Sequence, residues 1–369
     1  MDNQIFGLEE VNTGRQVEFD VARAFSILGM VISHCYMCSG MPITEGFANL
    51  ICCILGTFLG APLFMFYMGA GIRYSRHSSP NALIKRGFVI LGIAYALNFF
   101  GRVLTNFVLD IIDEFGFRGD FYLEQLTFDD ILQFAGLALI LMGILLKLKT
   151  SDLIILIIGI AFSVLTIFTN NFEMNDKVAS NLLGLIIGTS YDGYVSGSFP
   201  LLNYFIFVAA GYVFGKYWKR CKNKTRFFAI FSTLAFIIGS FGIFIEMKFE
   251  IGAIGTSGLR NYYWISLPDA ILCFICAIGM SGIYYLFYTY FGDRFRNYCV
   301  NVSSCMNAFY VIHEILARWI VYFLLRYYLQ IEMTNTVVLI SSFVIIVITY
   351  AASMTYKTKK EYRLKRKFS

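Results

Sequence analysis

The chain has 369 residues, of which 58% are hydrophobic and only 15% charged, with a formal net charge of +6 and a mean hydropathy of +0.66. A soluble domain is nearer a quarter charged, so the composition excludes an ordinary soluble enzyme and points to an integral membrane protein. The excess of positive charge carries no nucleic-acid signal, because no nucleic-acid-binding motif or aromatic–basic interleaving accompanies it.

Hydropathy predicts about ten membrane spans, each near the roughly 20 residues that a helix needs to cross. In chain order they fall near 21–40, 47–72, 87–105, 130–147, 152–170, 199–217, 227–247, 267–291, 305–326 and 334–354. The first apolar run follows a polar stretch and has no small-residue cleavage site, so it reads as a retained span rather than a signal peptide. The expected fold is all-α: one transmembrane bundle over 1–369, with a cytoplasmic segment at 1–19 and a basic cytoplasmic tail at 355–369.

Lys and Arg set the orientation. With the N-terminus in the cytoplasm, 23 of the 30 cationic residues fall on the cytoplasmic side, a strong positive-inside bias. The other seven are Arg102, Arg118, Lys177, Lys248, Arg260, Arg318 and Arg326. Both termini are therefore expected inside. The outer loops are different: 106–130 is rich in Asp and Glu, and 171–198 and 249–264 in Asn, Ser, Gly and Tyr. Such loops suit either plain solvation or a polar acceptor such as a sugar.

The first span, "VEFDVARAFSILGMVISHCYMCSG", carries three ionisable groups. Such groups are costly in hydrocarbon and often mark a site. Arg23 and His34 are eleven residues apart, which returns to within about 20° on an α-helix. Asp20 falls on the same face and pairs at i, i+3 with Arg23. The rise from Arg23 to His34 is about 16 Å, so a charged entrance leads to one titratable base near mid-depth. The alternative is an interfacial ion pair and a hydrogen-bonded bundle histidine. The loop after the second span adds Arg73 and Arg76, followed by Lys85 and Arg86. These suit the phosphates of a cytoplasmic donor or simple topology bias. The ninth span carries Tyr310, His313, Glu314 and Arg318. His313 also falls near mid-depth, while Glu314–Arg318 reads as a packing pair. Asn98 and Gln133 are further polar candidates inside spans. The nine cysteines include Cys35-x-x-Cys38 and Cys273-x-x-Cys276, but in apolar helices free Cys behaves as a small hydrophobe. No metal motif is present.

Asp-x-x-Arg-x(10)-His in the first span, "GIRYSRHSSP" after the second and "NAFYVIHEILARW" near the end resemble the membrane-bound acyltransferase 3 family. "APLFMFYMGAGIRYSR", "LIKRGFVILGIAYALNF" and "DILQFAGLALILMGIL" resemble the related heparan-α-glucosaminide N-acetyltransferase-like proteins. In the heparan-type relatives the proposed catalytic His lies in the outer loop before the second span, whereas 39–60 here holds no His. That departure favours the acyltransferase 3 arrangement, with His34 as base. The resemblance implies acyl transfer, mostly O-acetylation, from cytoplasmic acetyl-CoA to an extracytoplasmic or lipid-linked glycan, without a metal, in a bacterial cytoplasmic membrane. It implies catalytic roles for His34, Arg23 and Asp20, donor binding by Arg73, Arg76, Lys85 and Arg86, and a cavity with His313, Tyr310, Glu314, Asn98 and Gln133. The implied partners are acyl-CoA, the glycan acceptor and membrane lipids; homo-oligomers are compatible with the sequence, which does not fix the oligomeric state. A transporter of a small polar or anionic solute is the rival class, but the sequence shows neither inverted repeats nor paired Gly/Pro-broken helices.

Overall fold

The structure is a computed structural model that describes residues 4–41, 47, 60–113, 116–252 and 263–367. Among them, seven helices are long and apolar enough to cross a membrane: Val17–Ser39, Pro80–Asp113, Asp152–Thr169, Lys224–Phe249, Leu267–Tyr290, Met306–Tyr328 and Asn335–Lys360. An eighth candidate is a helix pair, Gly119–Thr127 and Ile131–Lys147, bent by 54°. The chain is thus an all-α membrane protein, as a segment in hydrocarbon must satisfy its own backbone hydrogen bonds. Two predicted spans need comment. Much of 47–72 lies outside the described residues. The segment predicted at 199–217 is a helix, Leu201–Lys219, but is not among the seven. Asn203, Lys216 and its many Tyr and Gly residues make it less apolar, and most of it is buried in protein.

The chain folds into two compact units. The first comprises Met1–Gln16, Ala61–Asn98 and Phe117–Ile283; the second comprises Val17–Gly60, Phe99–Gly116 and Tyr284–Ser369. The first 23-residue helix, α1 (Val17–Ser39), opens the second unit.

The first unit contains α2 (Ala61–Tyr74) and α3 (Pro80–Asn98). A π-helical turn at Phe99–Val103 continues α3 into α4 (Leu104–Asp113), both in the second unit. Next come α5 (Gly119–Thr127), α6 (Ile131–Lys147) and α7 (Asp152–Thr169). The closest helix packing in this unit uses glycine. A Cβ on Gly211 would collide with the Phe66 carbonyl, and one on Gly69 with the Val208 carbonyl. Small residues let membrane helices approach this closely. Here they join α2 to α9, the Leu201–Lys219 helix.

Between α7 and α9 the polar connection folds as β1 (Phe172–Glu173), α8 (Lys177–Gly184), β2 (Thr189–Tyr191) and β3 (Tyr194–Val195). β1 pairs in parallel with β2, and β2 antiparallel with β3, with Tyr191 opposite Tyr194. Asp192 and Gly193 both take positive φ, 49° and 76°, the conformation of a type I′ hairpin turn. The remaining helices of this unit are α10 (Lys224–Phe227), a π-helical turn at Phe228–Ser232, α11 (Thr233–Phe249) and most of α12 (Leu267–Tyr290).

In the second unit α1 packs against α13 (Asp293–Ser304), α14 (Met306–Leu316), a twelve-residue π-helical segment at Ala317–Tyr328, and α15 (Asn335–Lys367). π-helix is rare and concentrates at functional sites.

Candidate functional site

His34 sits about three-quarters of the way along α1, with its side chain 17% exposed. Its Nδ1 lies 3.0 Å from His313 Nε2 and 2.7 Å from Glu314 Oε2. The two histidine rings stack with centroids 5.2 Å apart, and Tyr310 meets both edge-on. α14 presents His313 and Glu314 side by side and carries Tyr310 one turn earlier, so one helix supplies three of the four groups.

The hydrogen bonds fix the tautomers. His313 Nδ1 lies 3.0 Å from the Phe309 carbonyl. A carbonyl only accepts, so His313 Nδ1 carries the proton and its Nε2 is bare. His34 Nδ1 must then donate to the bare His313 Nε2, with the Glu314 carboxylate 2.7 Å away on the same side. The proton of neutral His34 is therefore on Nδ1, and its basic lone pair is on Nε2. Glu314 is also 3.3 Å from Arg318 through its other oxygen, Oε1. One buried carboxylate holds an imidazole on one side and a guanidinium on the other. This is the arrangement by which a carboxylate orients a histidine base and stabilises its imidazolium.

The donor atoms of His34, His313 and Glu314 all lie within 4.8 Å of one another, a set able to hold a metal ion. Tetrahedral coordination with bonds of about 2.0–2.1 Å would separate its ligand atoms by about 3.3 Å. The 2.7 and 3.0 Å spacings are shorter. As it stands, the trio is a hydrogen-bonded cluster, and a metal would have to open it.

The other expected site residues lie elsewhere. Asp20 is buried near the start of α1, 4.0 Å from Arg23, and accepts a 2.6 Å hydrogen bond from Ser303 Oγ on α13. Both share α1 with His34 but stand about 16–21 Å from it along the axis, so neither touches the histidine cluster. Arg73 is in the first unit. Its guanidinium pairs with Asp152 and covers the Tyr212 ring at 3.8 Å, and Lys216 shares Asp152 at 2.7 Å. Arg76, Lys85 and Arg86 are exposed in the same unit. Asn98 and Gln133 are in the first unit. Asn98 Nδ2 donates to the Leu126 and Phe128 carbonyls, and Gln133 completes a capping box with Asp130 at the start of α6. Both groups satisfy the backbone at the α5–α6 bend. The seven described cysteines are free and buried, the two Cys-x-x-Cys pairs included.

A residue that composition did not single out is Asp129, in the turn before α6. It is buried; one oxygen accepts from the Ser198 N–H at 3.0 Å, and Oδ1 has no partner. Burial pushes its carboxyl up to about 8, although the Ser198 N–H and the Lys177 ammonium pull the other way. A raised carboxyl keeps a proton that the unfolded chain has released, so its contribution to stability declines as pH rises from about 4 to about 8. Asp129→Asn should therefore raise the melting temperature at pH 8.5 but change it little at pH 4. Scanning fluorimetry checks this; an equal shift at both pH values would show that the effect is not titration.

The fold and this cluster together define a class: a multi-pass helical membrane protein with a histidine pair and a buried carboxylate packed together inside its helices. Residues 15–245 match the family model described as heparan-alpha-glucosaminide N-acetyltransferase, catalytic. The chain belongs to that family and is a transmembrane acyltransferase of the acetyltransferase type. The family shown is thus the heparan-type branch, not acyltransferase 3. No curated protein and no solved structure matches the chain. His34 lies within the matched region, whereas His313 and Glu314 come from beyond it.

Proposed function

We propose that the protein transfers acetyl from cytoplasmic acetyl-CoA to a nucleophilic group of an extracytoplasmic or lipid-linked glycan, as a multi-pass protein of a bacterial cytoplasmic membrane. The observation that carries this reading is the 2.7 Å contact of His34 Nδ1 with Glu314, which leaves Nε2 basic. His34 Nε2 takes the proton of the acceptor's hydroxyl or amino group as that group attacks the thioester carbonyl. The carbon–sulfur bond breaks as the acyl–acceptor bond forms, and the imidazolium returns its proton to the departing CoA thiolate. Glu314 stabilises the imidazolium between the two transfers. Arg76, Lys85 and Arg86 are exposed cations suited to CoA phosphates, with Arg23 as a further cation steadied by Asp20. Arg73 is held by Asp152, so its removal would disturb helix packing as well.

Purified protein in nanodiscs, given acetyl-CoA labelled in the acetyl group, should label glycans offering free amino or hydroxyl groups. Mild alkali distinguishes the products, since it releases an O-acetyl ester and leaves an N-acetyl amide. No labelled product from any such glycan would sink the reading. In the same assay Arg76→Ala should raise KM for acetyl-CoA several-fold, leave kcat nearly unchanged and weaken its salt dependence. An unchanged KM would return Arg76 to a topology role.

A further inference from the structure

The longest helix of the second unit is longer than the bilayer core is thick. α15 runs unbroken over 33 residues, Asn335–Lys367, which is about 50 Å against a core of about 30 Å. Residues 335–356 hold no Asp, Glu, Lys or Arg and extend about 32 Å, so they fill the core. Charge then begins abruptly. Residues 357–367 hold Lys357, Lys359, Lys360, Arg363, Lys365, Arg366 and Lys367 against Glu361 alone. The other helices no longer cover this stretch: beyond Ser353 none of the described side chains of α15 is buried, and Lys359 and Lys360 are exposed. Lys357 Nζ donates to Asn301 Oδ1 of α13 at 3.0 Å, which holds the root of the stretch.

These positions repel one another. Lys359–Arg363 and Arg363–Lys367 stand at i, i+4, and Lys360–Arg363 and Arg363–Arg366 at i, i+3. Like charges at such spacings destabilise a helix, and a stretch this short is marginal in water without packing. Glu361 opposes Lys365 at i, i+4, and the helix dipole favours cations near its C-terminal end, so part of the repulsion is offset. Positive-inside bias calls for cations beside a span in any conformation; it does not call for a helix. An anionic surface would hold one. From Tyr356, Lys357, Lys359 and Lys360 stand about 2–6 Å further along the axis, within a headgroup layer of roughly 6 Å. The other four positions stand about 10–17 Å along, within about one Debye length of that layer.

We propose that residues 357–367 bind anionic phospholipids of the leaflet from which α15 emerges, with phosphodiester headgroups of the phosphatidylglycerol type gathered around the helix. Clusters of roughly four to eight Lys and Arg directly beside a span attract acidic headgroups in this way. Lysine supplies a point charge and arginine a planar fork for the phosphate oxygens. The headgroups relieve the repulsion along the helix, so lipid binding and helix formation in this stretch support each other. The stretch lies beyond the matched residues 15–245, and the proposal does not depend on the acetyl-transfer reading.

The test titrates the full-length protein in neutral detergent with short-chain phosphatidylglycerol or phosphatidylcholine, read by calorimetry. Phosphatidylglycerol should bind at least about tenfold more tightly, since each cation near the surface contributes about fivefold, and added salt should shrink the preference. Lys359→Gln with Lys360→Gln, at two exposed positions, should lower phosphatidylglycerol affinity by about tenfold or more and leave phosphatidylcholine unaffected. Adding Arg363→Gln should lower it further. Lys147→Gln with Lys149→Gln removes an exposed cation pair of the first unit and should change little. In nanodiscs, backbone amides of 357–367 should exchange more slowly with phosphatidylglycerol than with phosphatidylcholine. Equal affinity of the wild-type protein for the two lipids would overturn the proposal. So would equal losses in the two double variants, which would make the binding a property of any interfacial charge. If acetyl-CoA slowed amide exchange in this stretch and phosphatidylglycerol did not, the cations would serve a soluble phosphate ligand and the lipid proposal would fall. No arm needs turnover, so the outcome is independent of whether acetyl transfer is observed.

Discussion

His34→Ala is expected to lower acetyl transfer by about 10²–10⁴-fold, the usual cost of losing a general base. Acetyl-CoA binding and folded yield should be nearly normal, because the ring sits at the edge of the cluster with its side chain 17% exposed. His34→Gln should be almost as inactive, since an amide hydrogen-bonds but does not take up a proton near neutral pH. His313→Ala is the informative control. It removes one of two acceptors facing His34 Nδ1 and leaves Glu314 in place, so its loss should be clearly smaller. Single-turnover label transfer measures all three. Near-normal turnover in His34→Ala would move the base to His313. Strong inhibition by EDTA, reversed by zinc, would show that the trio opens to hold a metal.

The second large effect is expected at Glu314. In Glu314→Gln the amide is nearly isosteric, but its orientation is dictated by Arg318. The guanidinium stands 3.3 Å from the Oε1 position, and its charge draws the amide oxygen there and turns the NH2 group towards His34 Nδ1. That ring nitrogen then faces an N–H in place of the carboxylate that stabilised its imidazolium, and the tautomer protonated on Nε2, which has no basic lone pair for the acceptor, competes with the one that donates to His313 Nε2. A wrong-tautomer histidine costs about 10⁴-fold where a comparable pair has been altered this way. The kcat of Glu314→Gln should fall by a similar factor with KM for acetyl-CoA unchanged, and Glu314→Asp should retain more activity. If Glu314→Gln lost stability but kept kcat, the carboxylate would be a packing group only.

The membrane class was legible from composition, and the site's first member from register. His34 was readable because it shares one helical face with Asp20 and Arg23. His313, Tyr310 and Glu314 were named for a shared cavity from their depth and the resemblance, but their direct contact with His34 had no local signal. Glu314 lies 280 residues further along the chain, and its local pattern with Arg318 is the i, i+4 spacing of any helical ion pair. In the structure Glu314 stands beside both Arg318 and His34. Asn98 and Gln133 were picked out as polar side chains within apolar runs. Each satisfies backbone groups where α5 and α6 break. The "SYDGYV" hairpin carried its own Asp-Gly signal, hidden in a loop read only by composition. The π-helical segments left no trace in hydropathy, because an extra residue per turn does not alter the length of an apolar run. The missed Asp129 has no sequence signal apart from standing next to the cap residue Asp130.

The Asp152 junction also has a mechanical meaning. Its carboxylate receives Arg73 from α2 and Lys216 from α9, and sits at the first position of α7, which Ser151 caps. Three helices are thereby riveted at one end, while Gly69 and Gly211 lock α2 to α9 along their length. An alternating-access carrier works by rocking packed helices against one another around a fixed site. A block fastened both across its end and along its seam resists such sliding and moves as a single piece. Such a frame suits the acetyl transfer proposed above better than the carriage of a whole solute.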